Sequence, residues 1–252
     1  MKIGIVIQGP LMSVGRTSKT LSWRELNKSN IVNFNCVDTI NGYFKKYSHN
    51  YKIVCSTWEN EETSIKENLI SKVGLENILF NIDRTRPLKK VNDGILPQNN
   101  KHRQIYSTLH GLKYLKSKGC EKFIKVRTDQ VINIELISRQ ITLLKNFFVP
   151  MKNNHDLVHM EDIYFAGDTD VSIKMFENYL NTKEMHQNVH YDYTFSFASF
   201  LMNKNFYFSK FYHKKNNFLK IIYKKNLELL WENYFSPLDG EVFKNYTWRG
   251  KD

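Results

Sequence analysis

Three apolar runs of this chain end in side chains able to do chemistry. Lys2 to Gln8 leads into Gly9 and Pro10, Tyr51 to Ser56 into Thr57 and Trp58, and Lys122 to Thr128 into Asp129, with Arg127 just before. An open α/β sheet binds its ligand in the crevice outside the carboxyl ends of its strands, so these tips suit a nucleotide-type ligand. Alternation along the third run puts Lys125, Arg127 and Asp129 on one face and Ile124, Val126 and Thr128 on the other. A charged face inside a helix-covered sheet is costly unless paired. Two readings follow. Arg127 grips a phosphate in its fork while Asp129 holds a divalent metal or a ribose hydroxyl. Alternatively, the strand ends at Val126 and a Lys-Arg-Asp network lies in solvent.

Other residues join the first reading. Gly9 lets a ligand approach the backbone, and Gln8 can donate and accept toward a base or ribose; a Gly-Pro pair also marks an ordinary turn. Ser56 and Thr57 offer hydroxyls, and Trp58 offers a stacking ring or a core side chain. Arg103 and Gln104 sit near the start of a helix whose amino end favours anions. Pro10, Arg16 and Thr128 complete the set. Asp162, among Met160, Ile163, Tyr164 and Phe165, gains a raised pKa if buried, which suits a general base. It reads equally as half of a strand-edge pair with Glu161. Asp192 is a less specific carboxylate, and His186 with His190 makes no strong metal pattern.

These residues need elements to position them. Strands are expected over Lys2 to Gln8, Tyr51 to Ser56, Asn77 to Ile82, Lys122 to Thr128 and about Asp156 to Phe165. Helical spacing links Cys36, Val37, Ile40, Phe44 and Tyr47, then Glu62 to Val73, then Ile105, Leu109, Leu112 and Leu115, then Leu136 to Leu144, then Thr169 to Leu180. Leu11 to Ser29 reads as a basic loop with a short helix, and Asp83 to Asn99 as a long irregular loop of the kind that is usually functional. Alternating strands and helices imply a mostly parallel α/β sheet. The last third adds an aromatic helix near Tyr191 to Met202, a short strand near Phe206 to Phe211 and a helix near Asn217 to Tyr234. One domain over 1–252 is the simplest partition: a nucleotide half at 1–130, an acceptor half at 131–202 and a helical, basic, aromatic extension at 203–252.

Composition narrows the partners. A 252-residue chain with 41% hydrophobic residues can bury a substantial core. A net charge of +12 attracts nucleotides, nucleic acid or an acidic membrane face, although a Lys-rich coding bias yields the same excess. Tyr193 to Leu227 holds no Asp or Glu and interleaves Lys204, Lys210, Lys214, Lys215, Lys220, Lys224 and Lys225 with Phe and Tyr. That mixture suits an anionic membrane surface or single-stranded nucleic acid, and it also makes a solvated helix face. No nucleic-acid motif is recognisable, and no nucleic-acid partner is expected. Cys36, Cys55 and Cys120 lie far apart, against a disulfide framework or structural zinc. No run approaches the ~20 apolar residues of a membrane helix, so a cytoplasmic protein, at most peripheral on the membrane, is expected.

Taken in order, IVIQGP, STWE, NNKHRQIYSTLHGL and KVRTDQ resemble the WavE-type lipopolysaccharide-synthesis family over about residues 3 to 180. The resemblance implies a GT-A-like, Rossmann-related glycosyltransferase moving sugar from a nucleotide-sugar donor to a glycan or lipid-linked glycan of lipopolysaccharide, lipooligosaccharide or capsule. It implies work at the cytoplasmic face of the inner membrane. It carries a donor-site role to Gln8, Gly9, Ser56, Arg103, Arg127 and Asp129, and puts Asp162 near the acceptor. One departure stands out. Metal-dependent GT-A enzymes place Asp-x-Asp after this strand to hold Mg²⁺ or Mn²⁺ on a diphosphate, and here the first position is Arg127. Either Asp129 holds the metal against a diphosphate such as UDP, or Arg127 and the basic loop replace it, as a CMP-sugar would allow. Asp129→Asn is expected to abolish turnover and leave the melting temperature nearly intact, a large stability loss instead marking Asp129 as structural. Alternatives are a nucleotidyl- or sugar-phosphate transferase and a nucleic-acid-binding protein.

Overall fold

The computed structural model describes residues 1–16, 31–84, 100–143, 148–152, 160–181, 197–202, 217–238 and 247–249. The central sheet has six strands: β1 (Ile3–Gln8), β4 (Lys52–Trp58), β5 (Ile78–Asn81), β6 (Lys122–Arg127), β8 (Val149–Lys152) and β9 (Met160–Asp168), in the order β5-β4-β1-β6-β9-β8. The first four in that order run parallel, β9 runs antiparallel to β6, and β8 antiparallel to β9. Two small ribbons flank the sheet. One pairs β2 (Met12–Arg16) with β3 (Ile31–Asn35), and the other pairs β7 (Gln130–Val131) with β10 (Thr247–Trp248).

Alternation along each strand feeds two cores. Ile5, Ile7, Ile53, Cys55, Ile124 and Val126 face α1 (Val37–Tyr47), α2 (Thr63–Val73) and α4 (Ile134–Leu143). Val6, Val54, Phe123 and Phe165 face α3 (Asn100–Ser117), α5 (Thr169–Asn181) and α6 (Asn217–Tyr234). The α3 stripe is Ile105, Leu109, Leu112 and Leu115, all buried. Where α3 crosses β1 the fit is reciprocal: a Cβ on Gly111 would stand 2.5 Å from Val6, and one on Gly4 would stand 2.6 Å from Leu115.

The chain leaves β1 and builds outward to β4 and β5 through α1 and α2 on one face. It then returns through α3 on the other face to β6, on the far side of β1. The strand order therefore reverses between β1 and β6. At such a reversal, open α/β sheets hold their ligands outside the carboxyl ends of the strands.

The expected mostly parallel sheet is present, with differences in detail. Leu11 to Ser29 is not simply a loop with a helix: Met12–Arg16 is a strand paired with Ile31–Asn35. The fifth expected strand is antiparallel, spans Met160–Asp168 and so runs past Phe165. The second continues beyond Ser56 to Trp58. Helices Thr63–Val73, Ile134–Leu143, Thr169–Asn181 and Asn217–Tyr234 lie where periodicity puts them, within two residues at either end. The expected strand near Phe206 to Phe211, the start of the helix near Tyr191 and most of the long loop from Asp83 lie outside the described residues.

Candidate functional site

Register places three strand tips in one row. Gln8 of β1 pairs with Ser56 of β4 on one side and with Arg127 of β6 on the other. Gln8 is 4% exposed. Ser56 is fully buried; its Oγ donates to the Ser107 carbonyl of α3 at 2.7 Å and accepts from Asn81 Nδ2 at 2.9 Å. It therefore ties α3 to the strand end. Thr57 is also buried, with a long 3.5 Å contact to Glu61. Trp58 is buried beneath the Arg103 guanidinium, which stands 4.4 Å from the ring centroid, and Arg103 Nε lies 3.0 Å from Asp83 Oδ2. Gln104 is half-buried in the next position of α3, its carbonyl accepting from Thr108 Oγ1 at 2.6 Å. The second strand end thus forms the supporting wall of the crevice.

The turn after β1 explains Gly9. Its φ is 144°, and a Cβ there would lie 2.5 Å from Thr128 Oγ1. Thr128 is itself locked across the turn: its N–H donates to Gln8 O at 3.1 Å and its Oγ1 to Pro10 O at 2.8 Å. The bare α-carbon makes room for Thr128. Gly9→Ala is expected to cost about 1–3 kcal/mol in urea unfolding, with part of the loss recovered in the Gly9→Ala/Thr128→Ala double variant. An unchanged midpoint in the single variant would reject this account. Glu61 braces the same turn, accepting from the Leu11 N–H at 3.0 Å. Burial pushes its carboxyl up, against the backbone hydrogen bonds from Leu11 and Met12.

Asp129 is the electrostatic centre, 2% exposed. Its Oδ1 accepts from Arg127 Nε at 3.0 Å and its Oδ2 from Arg127 Nη2 at 3.2 Å, a two-pronged pair. Oδ2 also accepts from Ser13 Oγ at 2.7 Å and lies 3.3 Å from Arg249 Nη2. Burial pushes the carboxyl up, but the Arg127 guanidinium, the Ser13 hydroxyl and the Arg249 charge outweigh it and hold the group at about 2. The strand continues through Arg127, and Asp129 is buried with Arg127 partly so, unlike the solvated network of the second sequence reading. Tyr43 of α1 fastens the following turn, donating to Gln130 O and accepting from the Ile132 N–H, both at 3.0 Å. Nearby, burial and the Asp129 charge push the Cys36 thiol up to about 12, which favours the protonated form.

Sequence reasoning missed Ser13, Glu61 and Arg249. Ser13 and Arg249 are 236 residues apart, yet Arg249 Nε donates to Ser13 Oγ at 3.0 Å. No motif marks them; they meet because β2 leaves the β1 turn and β10 pairs with β7 beside Asp129. Asp162 lies on β9 three residues before Phe165, which pairs with Lys125, so its backbone is near the carboxyl end of β6. Its side chain and that of Arg16 are outside the described residues, as are Asp192, His186 and His190.

A divalent cation fits this donor set poorly. Both Asp129 oxygens face N–H or O–H donors, and an ion there would stand beside two guanidiniums. Among the described residues, no group of three His, Cys, Asp or Glu side chains is placed to hold a metal. No helix among them is long and apolar enough to cross a membrane.

Comparison with solved structures finds distant likenesses. One is 4-diphosphocytidyl-2C-methyl-D-erythritol synthase from Anaerococcus prevotii, at 16% identity and a TM-score of 0.44, covering 81% of this chain and 83% of that one. Another is HddC from Yersinia pseudotuberculosis, at 14% identity and a TM-score of 0.37, covering 69% and 80%. No curated protein matches the chain in sequence. Residues 3–163 do match a family profile, a span that takes in β1, the row of strand tips, Arg127 and Asp129, and on that match the chain belongs to the WavE lipopolysaccharide synthesis family.

Proposed function

We propose that this protein is a glycosyltransferase that moves sugar from a nucleotide-activated donor to a growing surface glycan of the lipopolysaccharide kind. One observation carries the reading: Gln8 and Arg127 stand in register at the crevice where the strand order reverses. Family membership supplies the biological setting. In this reading the base and ribose lie along Gln8 and the turn after β1. The phosphate lies against Arg127, whose charge, held in place by Asp129, stabilises charge developing on the departing nucleotide. Asp162, from the neighbouring strand, takes the proton of the acceptor hydroxyl if the reaction inverts. The composition of the basic, aromatic carboxyl-terminal region suits binding to an anionic membrane surface.

The test is calorimetric titration with UDP, GDP, CMP and dTDP, followed by incubation with the matching nucleotide sugars and mass spectrometry of the products. One nucleotide should bind, and Arg127→Gln should weaken it by about 10-fold or more, the scale of a lost charge-assisted hydrogen bond. A product heavier by one sugar residue supports glycosyl transfer. Pyrophosphate released in a parallel incubation with a nucleoside triphosphate and a sugar phosphate replaces it with nucleotidyl transfer, and phosphate carried with the sugar onto the product, with release of the nucleoside monophosphate, replaces it with sugar-phosphate transfer. Absence of binding to every nucleotide rejects the reading.

A further inference from the structure

Three segments meet at Asp129: Ser13 from β2, Arg127 and Asp129 from β6 and the turn after it, and Arg249 just beyond β10. Arg249 is held more firmly than an ordinary surface arginine. Its φ is 52°, a left-handed conformation uncommon for a bulky residue and kept where the surroundings over-determine it. Its N–H donates to Asp129 O at 2.8 Å, its Nε to Ser13 Oγ at 3.0 Å, and its Nη2 reaches to 3.3 Å from Asp129 Oδ2. Its side chain is 7% exposed. Main chain and side chain therefore converge on one residue, the main chain on the Asp129 carbonyl and the side chain on its carboxylate, and that carboxylate holds Arg127 by both prongs.

An aspartate in this position is arranged to orient guanidiniums. A cation ligand needs lone pairs aimed at an ion, whereas those of Asp129 meet N–H and O–H groups of three side chains. A guanidinium fixed in this way costs little further ordering when it meets a phosphate.

We propose that Arg249 is a positioning residue of the phosphate site: with Ser13 it orients Asp129, Asp129 orients Arg127, and the assembled cluster takes a phosphate group without a divalent cation. This rests on the nucleotide reading of the same crevice. It adds Arg249, 120 residues beyond Asp129 in the sequence, and independence from a divalent cation.

The experiment is titration of pyrophosphate, UDP and CMP into the full chain, once in EDTA and once with Mn²⁺, for the natural protein and for Arg249→Gln, Arg249→Lys and Ser13→Ala. The natural protein should bind at least one of these with the same affinity in both buffers. Arg249→Gln should weaken binding about 10-fold or more, millimolar guanidinium should restore it, and Arg249→Lys should fall between. If Arg249→Gln fails to fold, Ser13→Ala, which keeps every charge, should remain folded at some cost in melting temperature and still weaken binding several-fold. Binding that requires Mn²⁺ overturns this proposal while leaving the nucleotide reading intact. Pyrophosphate bound in EDTA with no nucleotide bound does the reverse. Failure of all three probes to bind overturns it, as does a loss in Arg249→Gln that neither guanidinium nor lysine repairs.

Discussion

Replacing Asp129 with asparagine should abolish transfer and lower the unfolding free energy by about 2–4 kcal/mol, because it leaves two guanidiniums without their carboxylate in a buried setting. The stability loss is the new element. From the sequence alone this substitution reads as a site change that spares the melting temperature; at 2% exposure it cannot be one. The pH dependence gives the check. The folded carboxyl is held at about 2 against 3.8 for an unperturbed aspartate, so on acidification the unfolded chain takes up the proton first. The stabilisation is complete above about pH 4–5 and disappears as pH falls toward about 2, and this source supplies roughly 2 kcal/mol. Urea unfolding of both proteins across that range should show a gap at neutral pH that closes in acid, where a protonated aspartate resembles asparagine. Parallel curves with no closing gap would show that Asp129 is not the buried anion described above.

Trp58→Ala should be the most destabilising of the substitutions considered, at about 3–5 kcal/mol. The ring is 2% exposed and is a large side chain of the wall beneath the start of α3. Its removal leaves a cavity and deprives the Arg103 guanidinium, 4.4 Å from the ring, of its platform. Trp58→Phe keeps an aromatic surface and should lose less than half as much. Denaturant unfolding reads both values. A cost below about 1 kcal/mol for the alanine variant would mean that the wall collapses around the gap, and Arg103 would then need another support.

The legible part of this protein is its repeated local grammar. Ile5, Val6 and Ile7 announce a strand covered on both faces, and the stripe from Ile105 to Leu115 announces a helix, because burial and periodicity lie within a few residues of each other. The register of Gln8 with Ser56 and Arg127 was not readable, although each strand tip was, since pairing partners are chosen by the whole sheet. β2 and β3 escaped notice because residues 17–30 separate them and no tight-turn signal joins them. The direction of β9 escaped because a buried strand reads the same whichever way it runs. Arg127 and Asp129 were visible as a charged tip, but their partners Ser13 and Arg249 were not, because only the folded topology brings those positions together.

The glycines under α3 have a consequence of their own. Gly111 of the helix receives Val6 of the strand, and Gly4 of the strand receives Leu115 of the helix. Two interlocking notches, one cut in each partner, act as a key: the helix can neither slide along β1 nor roll on it without driving carbon into carbon. The end of α3 that carries Arg103 is thus pinned in height and rotation relative to Gln8. The row of strand tips therefore has a neighbour of fixed position on the α3 side of the sheet.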